Sequence, residues 1–117
     1  MEKFSITTPL TGEYFTTVRL TVGGLCALAG FDVDSAEDFK VCVTESLLIL
    51  KRNGYLSASV EFTLGETLAC RVDGTEEGGE YLDSAEDEIS RALLSALLGT
   101  VEFVKEGEKV TGIQFEG

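Results

Sequence analysis

The chain contains no histidine, and this absence excludes several kinds of chemistry. Histidine is the commonest metal ligand in proteins and the usual base beside a serine or cysteine nucleophile. Ser/His and Cys/His catalytic pairs are therefore excluded, and no metal site is predicted. The cysteines are few and form no Cys-x-x-Cys pair, so we expect free, buried thiols at Cys26, Cys42 and Cys70.

Basic residues are also scarce, since nine Lys and Arg stand against 21 Asp and Glu and give a net charge of −12. Such a charge repels nucleic-acid phosphates and anionic lipid surfaces and favours a basic protein partner, although plain solubility explains it equally well. The N-terminus lacks the pattern of a signal peptide, and no apolar run approaches membrane-spanning length. We expect a cytoplasmic protein with a protein partner, and neither nucleic acid nor a membrane as partner.

A chain of 117 residues is long enough for one packed core, so we predict a single domain over residues 1–117. Apolar periodicity in the first half predicts one strand and two helices. These are Lys3 to Thr8, ended by Pro9; Glu13 to Ala29, stopped by Gly30; and a helix that starts in Asp34-Ser35 and runs to about Asn53, with Gly54 as its left-handed terminator.

The second half predicts two hairpins separated by a helix. The expected elements are strands Ala58 to Leu64 and Thr67 to Val72 around a type II′ turn at Gly65-Glu66, an acidic loop from Asp73 to Glu80, a helix from Ser84 to Leu98 whose apolar face is Ile89, Leu93, Leu94 and Leu97, and strands Val101 to Lys105 and Lys109 to Glu116. This order predicts an α+β, two-layer sandwich with three helices on one face of a mostly antiparallel sheet.

One segment, residues 13–55, carries two motifs of a known family. They are Arg19-Leu20-Thr21 and Val43-Thr44-Glu45-Ser46, the second followed by Leu47-Leu48-Ile49 and closed by Asn53-Gly54-Tyr55. The segment resembles the ATP-binding anti-sigma factor serine kinases, in which an "RLT" helix precedes a "VSEAxxNAxxHAY" helix. The resemblance implies a histidine-kinase-like ATPase fold, here with the lid shortened to the segment between Val72 and Ser84.

The resemblance also implies roles for individual residues. Glu45 takes the place of the catalytic acid, and Ile49, one turn later, takes the place of the asparagine that helps to hold Mg²⁺. An isoleucine cannot ligate a hard cation, which requires oxygen. Asp73 and Gly74 fall where the family binds adenine with an Asp-x-Gly turn, and the glycine is displaced by one position.

The start of the third helix departs further from the family. A glycine-rich run wraps the triphosphate there in the family, whereas this chain has Glu86, Asp87 and Glu88. Carboxylates at a helix N-terminus compete with phosphate for the backbone N–H groups.

Simpler interpretations exist for each of these residues. Glu45 could be an ordinary helix acid that reaches solvent or pairs with a nearby base, which would be Lys51, Arg52 or Arg91. The Asp73-Gly74 pair could be only a turn. Arg19 matches the arginine with which the family contacts its sigma factor, but a lone helical arginine is usually a solvated charge.

We therefore predict a regulatory protein-binding module, a pseudo-kinase that resembles an anti-sigma factor and has degenerate ATP and Mg²⁺ sites. Its expected partner is a sigma factor or an anti-anti-sigma protein, contacted through Arg19, and no cofactor is expected. Two alternatives stay open: an active ATP-dependent serine kinase with unusual motifs, which would use ATP and Mg²⁺, and a dimerisation or scaffold domain. A homodimer is compatible with all three.

Overall fold

A computed structural model describes residues 2–81, 85–98 and 100–117. The elements in chain order are β1 (Glu2–Pro9), α1 (Gly12–Leu28), α2 (Val33–Arg52), β2 (Asn53–Leu64), β3 (Leu68–Tyr81), α3 (Ala85–Leu97), β4 (Val101–Glu106) and β5 (Lys109–Glu116).

The strands form one five-stranded sheet in the order β1-β2-β3-β5-β4, and every neighbouring pair is antiparallel. Side chains alternate across a strand, so β2 buries Ala58, Val60 and Phe62 and turns the polar residues between them toward solvent. The helices cover the buried face, which gives two layers. The predicted α+β two-layer sandwich is confirmed.

Helix α2 lies at the centre of the helical layer, where it contacts α1, α3 and strands β2, β3 and β5. Its buried residues recur at three- and four-residue spacing: Phe39, Cys42, Val43, Ser46, Leu47, Ile49 and Leu50. Each fully buried large aliphatic or aromatic side chain contributes roughly 1.5–3 kcal/mol. The predicted helix ends are confirmed, because Gly30 and Gly54 have φ angles of 79° and 92° in the left-handed region that favours glycine.

Two local predictions are wrong in ways that follow from hydrogen bonding. Helix α2 is capped by Asp32, two residues before the predicted start, because its carboxylate accepts the Ser35 N–H at 2.7 Å. The first hairpin pairs Leu64 with Leu68 and therefore has a three-residue turn. Gly65 is not among the glycines of positive φ, which a type II′ turn would require.

The predicted loop from Asp73 to Glu80 is also wrong, since β3 continues to Tyr81 and stays paired with β2. Most of the segment expected to be a shortened lid is therefore strand. Ser84, the predicted first residue of the third helix, lies outside the described residues. The inward face of α3 differs from the prediction in part, because Leu94 is buried as predicted, whereas Ile89 is exposed and the polar residues Asp87 and Ser90 are buried.

The three cysteines are free and buried, as predicted. Burial raises the pKa of each thiol, and for Cys42, which also faces Asp38 and Glu45, to about 12. Among the described residues, no helix combines the length and the apolar composition needed to cross a bilayer.

Candidate functional site

Glu45 lies on the face of α2 that packs against α3, and it is half buried. Its Oε2 atom accepts a hydrogen bond of 2.6 Å from the Ser90 hydroxyl of α3. The same hydroxyl accepts a bond of 2.9 Å from Nη1 of Arg52, at the end of α2. Ser90 thus links an acid and a base that lie on one helix, and it joins that helix to α3.

Arg52 also holds the first turn of α3 by charge. Its Nη1 lies 3.5 Å from Asp87 Oδ1, and its Nε lies 3.8 Å from Glu86 Oε2. Asp87 is paired a second time, since Arg91 Nη2 lies 2.9 Å from Oδ2. The Arg52 and Asp87 side chains are only 15% and 12% exposed, so this pair is shielded from water.

Arg91 completes the cluster on its outer side. Its guanidinium carbon lies 6.0 Å from the centre of the Phe103 ring, a cation–π distance. Its buried Nε is without a hydrogen-bond partner among the described residues. We call Glu45, Arg52, Asp87, Ser90 and Arg91 the interhelix cluster.

One turn after Glu45, Ile49 is fully buried in the hydrophobic core. This is the place to which the resemblance assigns the metal-binding asparagine. A buried aliphatic side chain offers no oxygen ligand. Within the described residues, no group of three or more Cys, Asp and Glu is arranged to hold a metal ion.

Asp73 lies in the middle of β3, opposite Ser59 of β2 and Gly112 of β5. Its carboxylate accepts a 3.0 Å hydrogen bond from Nε of Arg71, two residues earlier on the same face of the strand. Because the intervening Val72 is buried toward the helices, Asp73 points to the open face of the sheet. Glu45 and Asp73 are therefore on opposite sides of the sheet.

Gly74 faces the helical layer, and the ring of Tyr55 lies against its backbone. A Cβ atom at position 74 would lie 2.4 Å from the Tyr55 ring, a distance that side chains do not tolerate. Lys109 of β5 also lies near the ring, with its Nζ 4.6 Å from the ring centre. The tyrosine is only 8% exposed and lies near both β3 and β5.

Arg19 lies on the exposed side of α1, apart from these residues. It takes part in none of the ion pairs or side-chain hydrogen bonds found in the described part of the chain. Its neighbour Leu20 is 74% exposed, and Tyr14 on the same helix is 43% exposed. Arg19 and Leu20 are thus adjacent exposed residues of α1, a cation and an aliphatic side chain, and arginine is among the residues enriched at protein interfaces.

Of the three bases suggested as partners of Glu45, the structure connects it to Arg52, and the connection runs through hydrogen bonds to the Ser90 hydroxyl. It does not bring Glu45, Asp73 and Arg19 together. Sequence reasoning missed Ser90 and Tyr55. The sequence did contain a signal for Ser90, because the three- and four-residue spacing of Asp87, Ser90 and Leu94 places them on one helix face. Two of these three residues are polar, so an apolar pattern does not identify this face as buried.

The chain is similar to the serine-protein kinase RsbW of Bacillus mycoides (strain KBAB4) and of Bacillus cereus (strain B4264), with 30% identity over 63 residues in each case. The similar region is 54% of this chain, and the chain spans 39% of the length of these curated relatives. No family model matches the chain. The resemblance seen in the sequence is confirmed at this level, as a weak similarity to these kinases over about half of the chain.

Proposed function

We propose that the protein is a regulatory protein-binding module, related to anti-sigma factors, that works by holding a protein partner and not by transferring phosphate. The observation that carries this proposal is the exposed side of α1, where Arg19 has no ion-pair partner among the described residues and Leu20 is 74% exposed. Arg19 belongs to the segment that resembles the anti-sigma kinases, and its counterpart there contacts a sigma factor. A sigma factor or an anti-anti-sigma protein is the proposed partner.

The residues at the expected nucleotide positions support the binding role. Phosphoryl transfer depends on positioned cations and hydrogen-bond donors around the phosphates. Ile49 is buried and apolar, the Tyr55 ring covers the backbone of Gly74, and Asp73 is engaged by Arg71 on the far face of the sheet. On this proposal the ATP and Mg²⁺ sites are degenerate, and Glu45 serves as an acceptor for Ser90.

The nucleotide part is tested by isothermal titration of the purified protein with ATP and with ADP in the presence of Mg²⁺. The expected result is no saturable heat up to millimolar nucleotide. Micromolar binding would favour the alternative of an active serine kinase, and loss of kinase activity in Glu45→Gln would then identify the base.

The partner part is tested with the sigma factors of the source organism, purified and titrated one by one. Arg19→Glu should abolish binding of the cognate sigma factor, because the charge that meets the partner is reversed. Lys51→Glu, which makes the same change in net charge on an exposed position of α2, should retain it. Equal loss in both variants would show that only overall charge matters and would contradict the assignment of Arg19.

The remaining alternative is a dimerisation or scaffold domain. Analytical ultracentrifugation at micromolar concentration distinguishes it, since a scaffold of this kind requires a stable self-associated species. A monomer that still binds a sigma factor would favour the proposed function.

A further inference from the structure

A second surface of the molecule lies at the end of the sheet remote from the first hairpin turn. Strands β3 and β5 pair from Ala69 with Glu116 to Asp73 with Gly112, and no pairing between them follows. Strand β3 nevertheless continues to Tyr81, with β2 along one edge and with shifts of register between Ala58 and Asn53 of β2. Its other edge, from Gly74 to Tyr81, is unpaired among the described residues.

Two side chains explain why the strands part. The side-chain carbonyl of Asn53 accepts the backbone N–H of Val110 at 2.9 Å, and its amide donates to the Ile49 carbonyl at 2.7 Å. The Val110 N–H is thereby used by Asn53 and is not offered to β3. The Tyr55 ring lies against Gly74, and Nζ of Lys109 lies 4.6 Å from its centre. Asn53 and Tyr55 thus occupy the region where β5 leaves β3, and across it the Lys109 side chain pairs with Glu77 of β3.

The separation leaves an open cleft of about 510 Å³ between the outer half of β3 and the β4–β5 turn. Gly78 and Gly79 lie along its β3 side and carry no side chains of their own, although Leu56 and the Gly54 backbone of β2 lie close to them. Tyr81, which is 50% exposed, stands at one end. An unpaired strand edge presents N–H and C=O groups that another extended chain can complete.

The charge around this cleft is strongly negative. The described residues that line it include three exposed acids, Glu77, Glu106 and Glu108, and one cation, Lys109, which pairs with Glu77. Neither Glu106 nor Glu108 takes part in an ion pair within the described residues. A partner segment in this cleft would therefore gain from positive charge, and an acidic segment would be repelled.

We propose that this cleft binds an extended, basic segment of a partner protein, which adds as a strand to the free edge of β3. A segment of about six residues, at roughly 3.3 Å per residue, would run along β3 from Thr75 to Glu80. Its backbone completes hydrogen bonds with β3, and its Lys or Arg side chains meet Glu106 and Glu108. This surface is separate from Arg19 on α1 and does not depend on the proposed function.

The test uses a labelled peptide, acetyl-Lys-Val-Lys-Val-Lys-Val-amide, titrated with the protein by fluorescence anisotropy. Saturable binding is expected, with amide chemical-shift changes in NMR spectra at Gly78, Gly79 and Tyr81. The same peptide with N-methylated valines keeps its charge but loses backbone donors, and it should bind at least about tenfold more weakly, because two or three hydrogen bonds are lost.

A matched pair of variants tests the position. Glu108→Lys and Glu66→Lys change the net charge equally in exposed turns, but Glu66 lies in the opposite hairpin turn. Glu108→Lys should weaken binding by about three- to tenfold, and Glu66→Lys by less than about twofold. Arg19→Glu should leave peptide binding unchanged.

Three results would overturn the proposal. One is the absence of saturable binding at millimolar peptide. Another is equal affinity for the N-methylated peptide, which would mean that charge alone attracts it. The last is an equal effect of Glu108→Lys and Glu66→Lys, which would place the peptide elsewhere on the acidic surface.

Discussion

Replacing Arg52 with alanine should destabilise the protein, although Arg52 lies outside the hydrophobic core. The change removes the hydrogen bond to Ser90 and the ion pairs to Asp87 and Glu86, and it leaves the 12% exposed Asp87 with Arg91 alone. Breaking a fully buried ion pair costs about 3–5 kcal/mol. Because Arg91 still neutralises Asp87, we expect about 2 kcal/mol here. For a chain of this size that loss lowers the Tm by roughly 8 °C.

The control for this change is Lys51→Ala, the adjacent position, whose side chain is exposed. Urea unfolding followed by circular dichroism should give the same m value for both variants and a lower midpoint only for Arg52→Ala. A double-mutant cycle with Ser90→Ala should show coupling, since the two residues share a bond of 2.9 Å. If Arg52→Ala lies within about 0.5 kcal/mol of Lys51→Ala, the interhelix cluster does not hold α3 in place.

Three further predictions concern stability. Ile49→Asn should cost about 3–5 kcal/mol, because a fully buried aliphatic side chain is replaced by an amide, and nucleotide titration should still show no binding. Gly74→Ala should lower the free energy of unfolding by about 1–3 kcal/mol, because the new Cβ collides with Tyr55. Gly24→Ala, whose Cβ would have nothing within 4 Å, should instead stabilise α1 by up to about 1 kcal/mol. Urea unfolding midpoints of the two variants measure both effects. Stability should fall between pH 9 and about 12, since the Cys42 thiol ionises near its ordinary 9.0 when unfolded and near 12 when folded; Cys42→Ala should reduce this slope.

Most of the fold could be predicted because its elements have clear local signals. Helix ends were marked by Gly30 and Gly54, both of positive φ, and the buried face of α2 by its regular spacing. The outer half of β3 could not be predicted, since residues 73–80 read as polar, glycine-rich loop. What makes them a strand is pairing with β2, a tertiary effect that overrides local propensity.

The candidate site was predictable only in part. The position of Glu45 on α2 followed from the helical pattern, but its bond to Ser90 depends on how α3 is rotated. That rotation is set by Arg52 and Asp87, whose pairing places polar residues in the interface at the expense of Ile89, which is exposed. The apolar pattern therefore placed Leu94 correctly but Ile89 wrongly, because such a pattern does not register a buried ion pair.

The short segment that ends α2 and begins β2 contributes to two places: the expected nucleotide position at Gly74 and the proposed binding cleft beside β3. Asn53 takes the N–H of Val110, and Tyr55, two residues later, covers Gly74 and meets Lys109. The ring that blocks close approach to the Gly74 backbone thus also lies beside the start of β5. On the two proposals made above, the closed nucleotide position and the free edge of β3 share this one packing arrangement.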